Sequence, residues 1–174
     1  MNEFLPKFFA LVRPGMVALD LGAGPGQQTL RMAELGARVY AIDRSFEPVV
    51  QPGVLWRKAT IEEWLPGEGS RVAFDAVLAR NVIPFMEKDY VCTTLVPAIA
   101  AKMPSGGVFA VSAFFQDPEP PFPRHLLSLW TLDELLALFP GWETLHAWSG
   151  SSEGPDMQGA VRRYHISEVI MKKP

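Results

Sequence analysis

Apolar positions along the chain follow two alternating periods. Short β-rich apolar runs are separated by stretches with helical spacing, and this alternation is typical of βαβ units built around a parallel sheet. The first five runs that predict strands are Met16–Leu21, Arg38–Ile42, Val54–Lys58, Phe74–Ala79 and Val108–Phe115. We therefore expect a parallel sheet whose strands follow one another along most of the chain.

The longer periodic stretches predict helices with recognisable boundaries. Gln27–Leu35 is amphipathic, whereas Lys88–Met103 has helical spacing but contains Pro97. A proline inside a continuous helix costs about 3 kcal/mol, so this stretch is expected to kink or restart there. Thr131 stands three residues before Glu134, which is the capping-box spacing, and a helix is predicted to begin at Thr131.

The end of the chain departs from this alternation. Trp142–Ser149 and Arg162–Lys172 predict two strands with no helix between them, which favours an antiparallel hairpin at one edge of the sheet. The segment between the second and third strands carries two prolines and leaves room for about one helical turn. The pattern predicts an α/β fold with a doubly wound, seven-stranded, mostly parallel sheet, formed by residues 1–174 as a single domain.

Composition narrows the class of protein. The chain is 48% hydrophobic and 20% charged with a formal charge of −3, which disfavours an extended nucleic-acid surface. No apolar run reaches the ~18 residues of a membrane span, and the N-terminal residues do not follow a signal-peptide pattern. The single cysteine, Cys92, excludes an internal disulfide and a cysteine-rich zinc site. We expect a cytoplasmic protein without a metal and with Cys92 in the core.

A glycine-rich turn follows the first predicted strand, in the segment VALDLGAGPG. A strand that leaves such a turn as a helix presents backbone N–H groups and the positive end of a helix dipole to one ligand. A phosphate-binding P-loop would need a lysine and Ser/Thr after the last glycine, but Gln27 follows Gly26. Gly22, Gly24 and Gly26 stand at relative positions 1, 3 and 5, which weakens a dinucleotide or flavin site because that fingerprint has glycines at 1, 3 and 6.

The same segment resembles the first motif of the class I S-adenosylmethionine-dependent methyltransferases. Its pattern of two apolar residues, Asp20, an apolar residue and three alternating glycines is that motif. The resemblance implies that the loop cradles the methionine end of S-adenosylmethionine and that Asp20 faces its ammonium group. Asp43 ends the second strand, twenty-one residues after Gly22, where the resemblance implies a carboxylate that binds both ribose hydroxyls.

Three further segments extend this resemblance from Met16 to about Phe115. In KATIEEW, Ala, Thr and Ile occupy the turn where the family usually has an acidic residue near the adenine. The segment FDAVLARN ends in small or polar residues that the resemblance places beneath the sulfonium, beginning with Ala79, and MPSGG resembles a structural turn before the fifth strand. The implied cofactor-binding residues are Asp20, Gly22, Ala23, Gly24, Gly26, Asp43, Arg44, Ala59, Thr60, Ile61, Arg80 and Asn81.

The C-terminal third resembles the ending of small methyltransferases of the tellurite-resistance and thiol type. That resemblance implies a small acceptor that is soft or anionic. Arg163 and His165 alternate onto one face of the last strand, and Arg124 and His125 lie in a proline-rich loop that could form a lid. These four residues are the candidates for catalysis.

Three alternatives remain open. The chain could be a non-catalytic S-adenosylmethionine-binding module, or it could bind a nicotinamide dinucleotide through an irregular loop. It could also be a nucleic-acid N-methyltransferase, although Asn81 to Phe85 is one residue longer and one proline poorer than the Asn/Asp-Pro-Pro-aromatic turn of those enzymes. Only fifteen residues precede Met16 to cover a pocket, so the acceptor is expected to be small or the site to be completed by a partner subunit in an oligomer.

Overall fold

Seven strands form one sheet in the computed structural model, which describes residues 3–48, 50–122, 126–156 and 158–174. The strands are β1 Val17–Leu21, β2 Arg38–Asp43, β3 Val54–Lys58, β4 Ala76–Arg80, β5 Val108–Glu119, β6 Glu143–Pro155 and β7 Val161–Lys172. Their order is β3-β2-β1-β4-β5-β7-β6, with β1 to β5 parallel and β7 antiparallel to both of its neighbours. The predicted fold class and the C-terminal hairpin are confirmed.

The helices are short and cover both faces of this sheet. They are α1 Phe4–Phe9, α2 Gln27–Glu34, α3 Ile61–Trp64, α4 Lys88–Tyr90, α5 Val96–Ala100 and α6 Leu132–Ala137. One apolar cluster includes Leu19, Phe74 and Phe109, and a second, beneath α1 and α2, includes Phe8 and Met32. Because the two clusters use alternate residues of β1 and β4, the central strands are buried on both faces.

Two predicted helix boundaries are confirmed. A π-helical turn, Val91–Leu95, joins α4 to α5, and Pro97 lies in the first turn of α5, where its missing N–H does not break a helical bond. Thr131 caps α6: the Glu134 N–H donates to Thr131 Oγ1 at 3.3 Å, and the Thr131 N–H donates to Glu134 Oε2 at 2.9 Å. The restart and the cap both follow from local backbone chemistry.

One expectation was wrong. Cys92 is exposed, because Val91 and Leu95 face the core and Cys92 lies on the outer face of the same helical turn.

The crossover from β2 to β3, which leaves room for about one helical turn, contains none among its described residues, 44–48 and 50–53. Its two prolines supply no N–H for such a turn.

The C-terminal strands are longer than their apolar runs predict. β5 continues to Glu119 and β6 to Pro155, so these strands and the β6–β7 turn extend past the carboxyl end of β4. Polar residues occupy this extension because it leaves the apolar core. The helices of the described residues include none with the length and hydropathy that a bilayer crossing requires.

Candidate active site

A cavity of about 440 Å³ lies at the carboxyl ends of β1 to β4, within the ~300–1,000 Å³ range of small-molecule sites. The chain order of the strands reverses between β1 and β4, and open α/β sheets bind ligands at such a switch point. Eight of the predicted cofactor-binding residues line it: Gly22, Gly24, Asp43, Arg44, Ala59, Thr60, Ile61 and Asn81.

The glycine loop forms one wall of this cavity. Gly22 has φ +66°, and a Cβ added there would lie 2.6 Å from Val82 Cγ2, so no other residue fits without displacing that side chain. Gly24 has φ +57°, and a Cβ added there would meet no atom within 4 Å. The bare backbone at Gly24 therefore leaves open space beside the cavity, as a cradle for a ligand requires.

Asp43 connects the end of β2 to the glycine loop. Its Oδ2 accepts a hydrogen bond from the Gly24 N–H at 2.9 Å, and its Oδ1 accepts from the Ser45 and Phe46 N–H groups at 2.8 and 3.1 Å. A carboxylate offers about four acceptor positions, so three are filled and one remains on Oδ2. Asp43 can accept one ligand hydroxyl as it stands, and a second only by sharing an occupied position.

Asp20 lies at the end of β1 beneath the loop and is 2% exposed. Its Oδ2 accepts a hydrogen bond from Thr29 Oγ1 at 2.6 Å. Burial raises the pKa of Asp20 to about 6, against the opposing effects of the Thr29 hydrogen bond and the charge of Arg80. A ligand cation near Asp20 would stabilise its charged form, which is the property that the ammonium group of S-adenosylmethionine supplies.

The backbone at Asn81, directly after the end of β4, is strained. It has φ +52°, in the left-handed region that side chains other than glycine seldom adopt. Its N–H donates to the Ser112 carbonyl oxygen, and its Oδ1 accepts from Ser112 Oγ, both at 2.9 Å. Two bonds to β5 therefore fix this residue against the strain, with the side chain at the cavity wall.

Comparison with known proteins places this site in a family. The family model described as "Methyltransferase domain" matches residues 19–110, which include the glycine loop, Asp43 and Asn81. The chain belongs to the methyltransferase domain family. This match confirms the predicted resemblance to methyltransferases.

Solved structures with low sequence identity share the fold of this chain. TehB from Haemophilus influenzae has a TM-score of 0.75 at 16% identity, over 100% of this chain and 63% of TehB. The 1,6-didemethyltoxoflavin-N1-methyltransferase of Burkholderia thailandensis, solved with 1,6-didemethyltoxoflavin and S-adenosylhomocysteine bound, has a TM-score of 0.59 at 22% identity, over 98% of this chain and 78% of that chain. The chain thus spans less than two thirds of the length of TehB. A search of curated proteins gave no match.

Four of the predicted cofactor-binding residues lie outside the described cavity lining. Asp20 is beneath the loop, Ala23 packs with Ala41 and Trp56, and Gly26 is the left-handed N-cap of α2 at φ +88°. Arg80 is exposed at the end of β4, and its charge acts to lower the pKa of Asp20. Ala23 and Gly26 therefore shape the loop, and Asp20 and Arg80 set the charge beneath it.

The candidate catalytic residues are not brought to the cavity by the described structure. Arg163 lies on the exposed side of β7, with its guanidinium 3.2 Å from Glu153 Oε1. His165 Nδ1 lies 2.8 Å from Ser151 Oγ, and its ring packs edge-on against Phe115. Arg124 and His125 lie outside the described residues. The prediction that Arg163 and His165 hold the acceptor therefore gains no support from the geometry.

Sequence reasoning missed one side of the cavity. Its lining also includes Phe46, Glu62, Met86, Phe122, Asp156 and Gln158. Phe122 follows β5, and the last two residues belong to the β6–β7 turn. No motif marks Phe122, Asp156 and Gln158, since they reach the site only because β5, β6 and β7 extend past the carboxyl end of β4. The proline-rich composition before Arg124 was the single local signal that this region leaves the core.

Proposed function

We propose that this chain binds S-adenosylmethionine in the cavity and transfers its methyl group to a small-molecule acceptor. The observation that carries the proposal is the pairing of Gly24 with Asp43 at the wall of a 440 Å³ cavity. This pairing joins the two segments whose residues carry the class I resemblance. Gly22 and Gly24 would cradle the methionine end, Asp43 would bind the ribose, and Ala59 and Ile61 would flank the adenine.

The protein's own contribution to such a reaction is mainly positional. The cofactor supplies an electrophilic methyl group: the acceptor's lone pair forms the new bond to carbon, the carbon–sulfur bond breaks with its electron pair going to sulfur, and the acceptor proton leaves to solvent. Alignment of nucleophile and methyl group, together with exclusion of water, accelerates such a displacement without a dedicated acid or base. Val82 and Met86 supply apolar lining for this purpose.

The charges of the described lining disfavour an anionic acceptor. Asp43, Glu62 and Asp156 line the cavity together with Arg44, the single basic residue among the described lining residues. An anionic acceptor would meet more negative than positive charge. Of the predicted soft or anionic acceptors, the soft uncharged class therefore has the stronger support.

Two further parts of the proposal rest on composition. One cysteine in 174 residues fits a reducing compartment, which supports a cytoplasmic location. A formal charge of −3 supports a small molecule over a nucleic acid as the acceptor, because phosphate backbones bind basic surfaces.

Calorimetric titration of the protein with S-adenosylhomocysteine, and separately with NADH, tests cofactor binding. We expect micromolar affinity for S-adenosylhomocysteine and none for NADH; the reverse order would establish a dinucleotide site instead. Turnover with S-adenosylmethionine is then measured on a panel of thiols, phenols, amines and oxyanions. Binding of the cofactor without turnover on any panel member would favour a non-catalytic module over an enzyme.

A further inference from the structure

The cavity has two unlike halves. Gly22, Gly24 and Asp43 belong to the half at the ends of β1 and β2, where the proposed cofactor residues lie. The other half, at the ends of β4 to β7, is lined by Phe85 and Phe122. If the first half binds the cofactor, the second is the half left for the acceptor.

Phe85 and Phe122 belong to a continuous group of aromatic rings. The centroid of Phe122 lies 6.3 Å from that of Phe85 in an edge-to-face arrangement, 5.4 Å from that of Phe114 and 6.2 Å from that of Tyr164. Phe114 is 2% exposed, so the group is anchored in the core, while Phe85 and Phe122 are half-buried at the cavity. Aromatic pairs prefer offset-stacked or edge-to-face arrangements with centroids about 4.5–7 Å apart, and a flat ring bound beside Phe85 and Phe122 could adopt one of them.

Arg162 fixes the position of Phe122. Its guanidinium carbon lies 5.6 Å from the centroid of the Phe122 ring, and its Nη1 donates to the carbonyl oxygens of Pro120 and Pro121, the latter at 2.9 Å. Its Nε donates to Asp156 Oδ2 at 2.6 Å, and the two side chains are only 11% and 4% exposed. A planar guanidinium can reach all of these partners at once, which an ammonium cannot.

Asp156 completes this link from the hairpin side. Its Oδ1 accepts from the Gln158 and Ala160 N–H groups, each at 2.9 Å, and so shapes the β6–β7 turn. The hydrogen bond from Arg162 also lowers the pKa of Asp156, so the pair stays ionised near neutral pH. Its two charges offset each other, and Arg162 is not available to bind an anion.

We propose that Phe85 and Phe122 form the acceptor subsite, that it takes a flat, uncharged aromatic ring, and that Arg162 is the positioning residue that holds Phe122 there. This inference rests on the proposed function in one respect: the bound ring is called the acceptor because the chain is proposed to transfer a methyl group. The aromatic subsite itself is a binding site that can be measured without turnover.

The test uses three probes with two fused rings: 2-naphthol, which is flat and uncharged at pH 7, the anion 2-naphthoate, and the saturated decahydro-2-naphthol. Each is titrated by ligand-observed NMR into the full chain saturated with S-adenosylhomocysteine. We expect 2-naphthol to bind at least fivefold more tightly than either of the other probes. Equal binding of the anion or of the saturated probe would overturn the proposal.

Two variants and a matched control assign the residues. Arg162→Lys and Phe122→Leu are each expected to weaken 2-naphthol binding at least fivefold while S-adenosylhomocysteine binding stays within twofold of wild type. Arg57→Lys is the control, because Arg57 makes a two-point contact with Glu68 on the protein surface away from the cavity. If Arg162→Lys folds and binds 2-naphthol as Arg57→Lys does, the positioning role is refuted.

The design separates this inference from the proposed function. If wild type does not bind S-adenosylhomocysteine, the proposed function fails, and the three probes are then titrated into the ligand-free chain. If it binds S-adenosylhomocysteine but does not distinguish the probes, the function stands and the aromatic subsite fails. Thermal unfolding identifies a variant that does not fold, and Phe122→Leu then decides alone, since it retains an apolar side chain.

Discussion

Replacing Gly24 with alanine separates a backbone requirement from a ligand-binding requirement. Gly24 has φ +57°, and the left-handed conformation costs an L-residue about 1–2 kcal/mol relative to glycine. The added Cβ meets no atom within 4 Å, so no steric term adds to that strain. For a chain of this size about 1 kcal/mol shifts Tm by roughly 2–4 °C, and Gly24→Ala is expected to lower Tm by roughly 2–8 °C.

Gly106 provides the matched control. It has φ +80°, and a Cβ added there also meets no atom within 4 Å, but it lies in the turn before β5 and not at the cavity. Gly106→Ala should therefore lower Tm by a similar amount. Gly24→Ala alone should weaken S-adenosylhomocysteine binding at least tenfold, because its methyl group would stand in the cradle beside Asp43.

Thermal unfolding followed by circular dichroism measures the Tm of the two variants, and calorimetric titration measures their affinity for S-adenosylhomocysteine. Wild-type affinity in Gly24→Ala would refute the assignment of the loop as a ligand cradle. Weakened binding in both variants would show that the loss reflects general destabilisation. A Tm loss far larger in Gly24→Ala than in Gly106→Ala would contradict the absence of a steric term.

Four further predictions concern three single residues. With a pKa of about 6, Asp20 is about nine-tenths ionised at pH 7 and about one-tenth ionised at pH 5. The affinity for S-adenosylhomocysteine should therefore fall about tenfold from pH 7 to pH 5. An affinity that does not change with pH would contradict a role for the charge of Asp20. Because the folded-state pKa of Asp20 lies above the ordinary 3.8, the contribution of Asp20 to stability is fully present below pH 3.8 and is lost as pH rises through 6. The free energy of unfolding in urea should therefore be larger for Asp20→Asn than for wild type, and the difference should be larger at pH 7 than at pH 5. Asp43→Ala removes the one ligand hydrogen bond that its carboxylate can accept as it stands, which is worth about 1.5–3 kcal/mol because the acceptor is charged. Calorimetry should show S-adenosylhomocysteine binding weakened at least tenfold, and unchanged affinity would refute the ribose assignment. Thr131→Ala removes the cap of α6 and should cost about 1 kcal/mol, seen as a Tm lower by roughly 2–4 °C with ligand binding unchanged, whereas an unchanged Tm would contradict the capping role.

Local patterns predicted residues that line the cavity at the ends of β1 and β2. The glycine spacing and the position of Asp43 at the end of β2 depend on a strand–turn–helix segment and on parallel pairing of β1 with β2. Both are encoded within about twenty-five consecutive residues. The cap at Thr131 and the restart at Pro97 are likewise local, because each concerns backbone hydrogen bonds within one turn.

The same reasoning failed where a residue's surroundings are distant in sequence. Arg163 and His165 were candidates because they alternate on one strand face, but that face meets Glu153 and Ser151 of β6 rather than the cavity. Cys92 was expected in the core, but it lies on the exposed side of a helical turn whose Val91 and Leu95 face inward. Periodicity predicts which side chains share one face of a strand or helix, but it does not predict what that face packs against.

By itself the sequence determined the doubly wound sheet, the order of its elements and the glycine-rich turn, because hydrophobic period, turn chemistry and motif spacing act over a few residues. Tertiary structure alone decided the aromatic half of the cavity. Phe85, Phe122 and Asp156 come from three segments separated by more than thirty residues each. They meet because β5 and the β6–β7 hairpin extend past the sheet, and because Arg162 binds two of those segments together. Such a site depends on strand length and register, which no local pattern specifies.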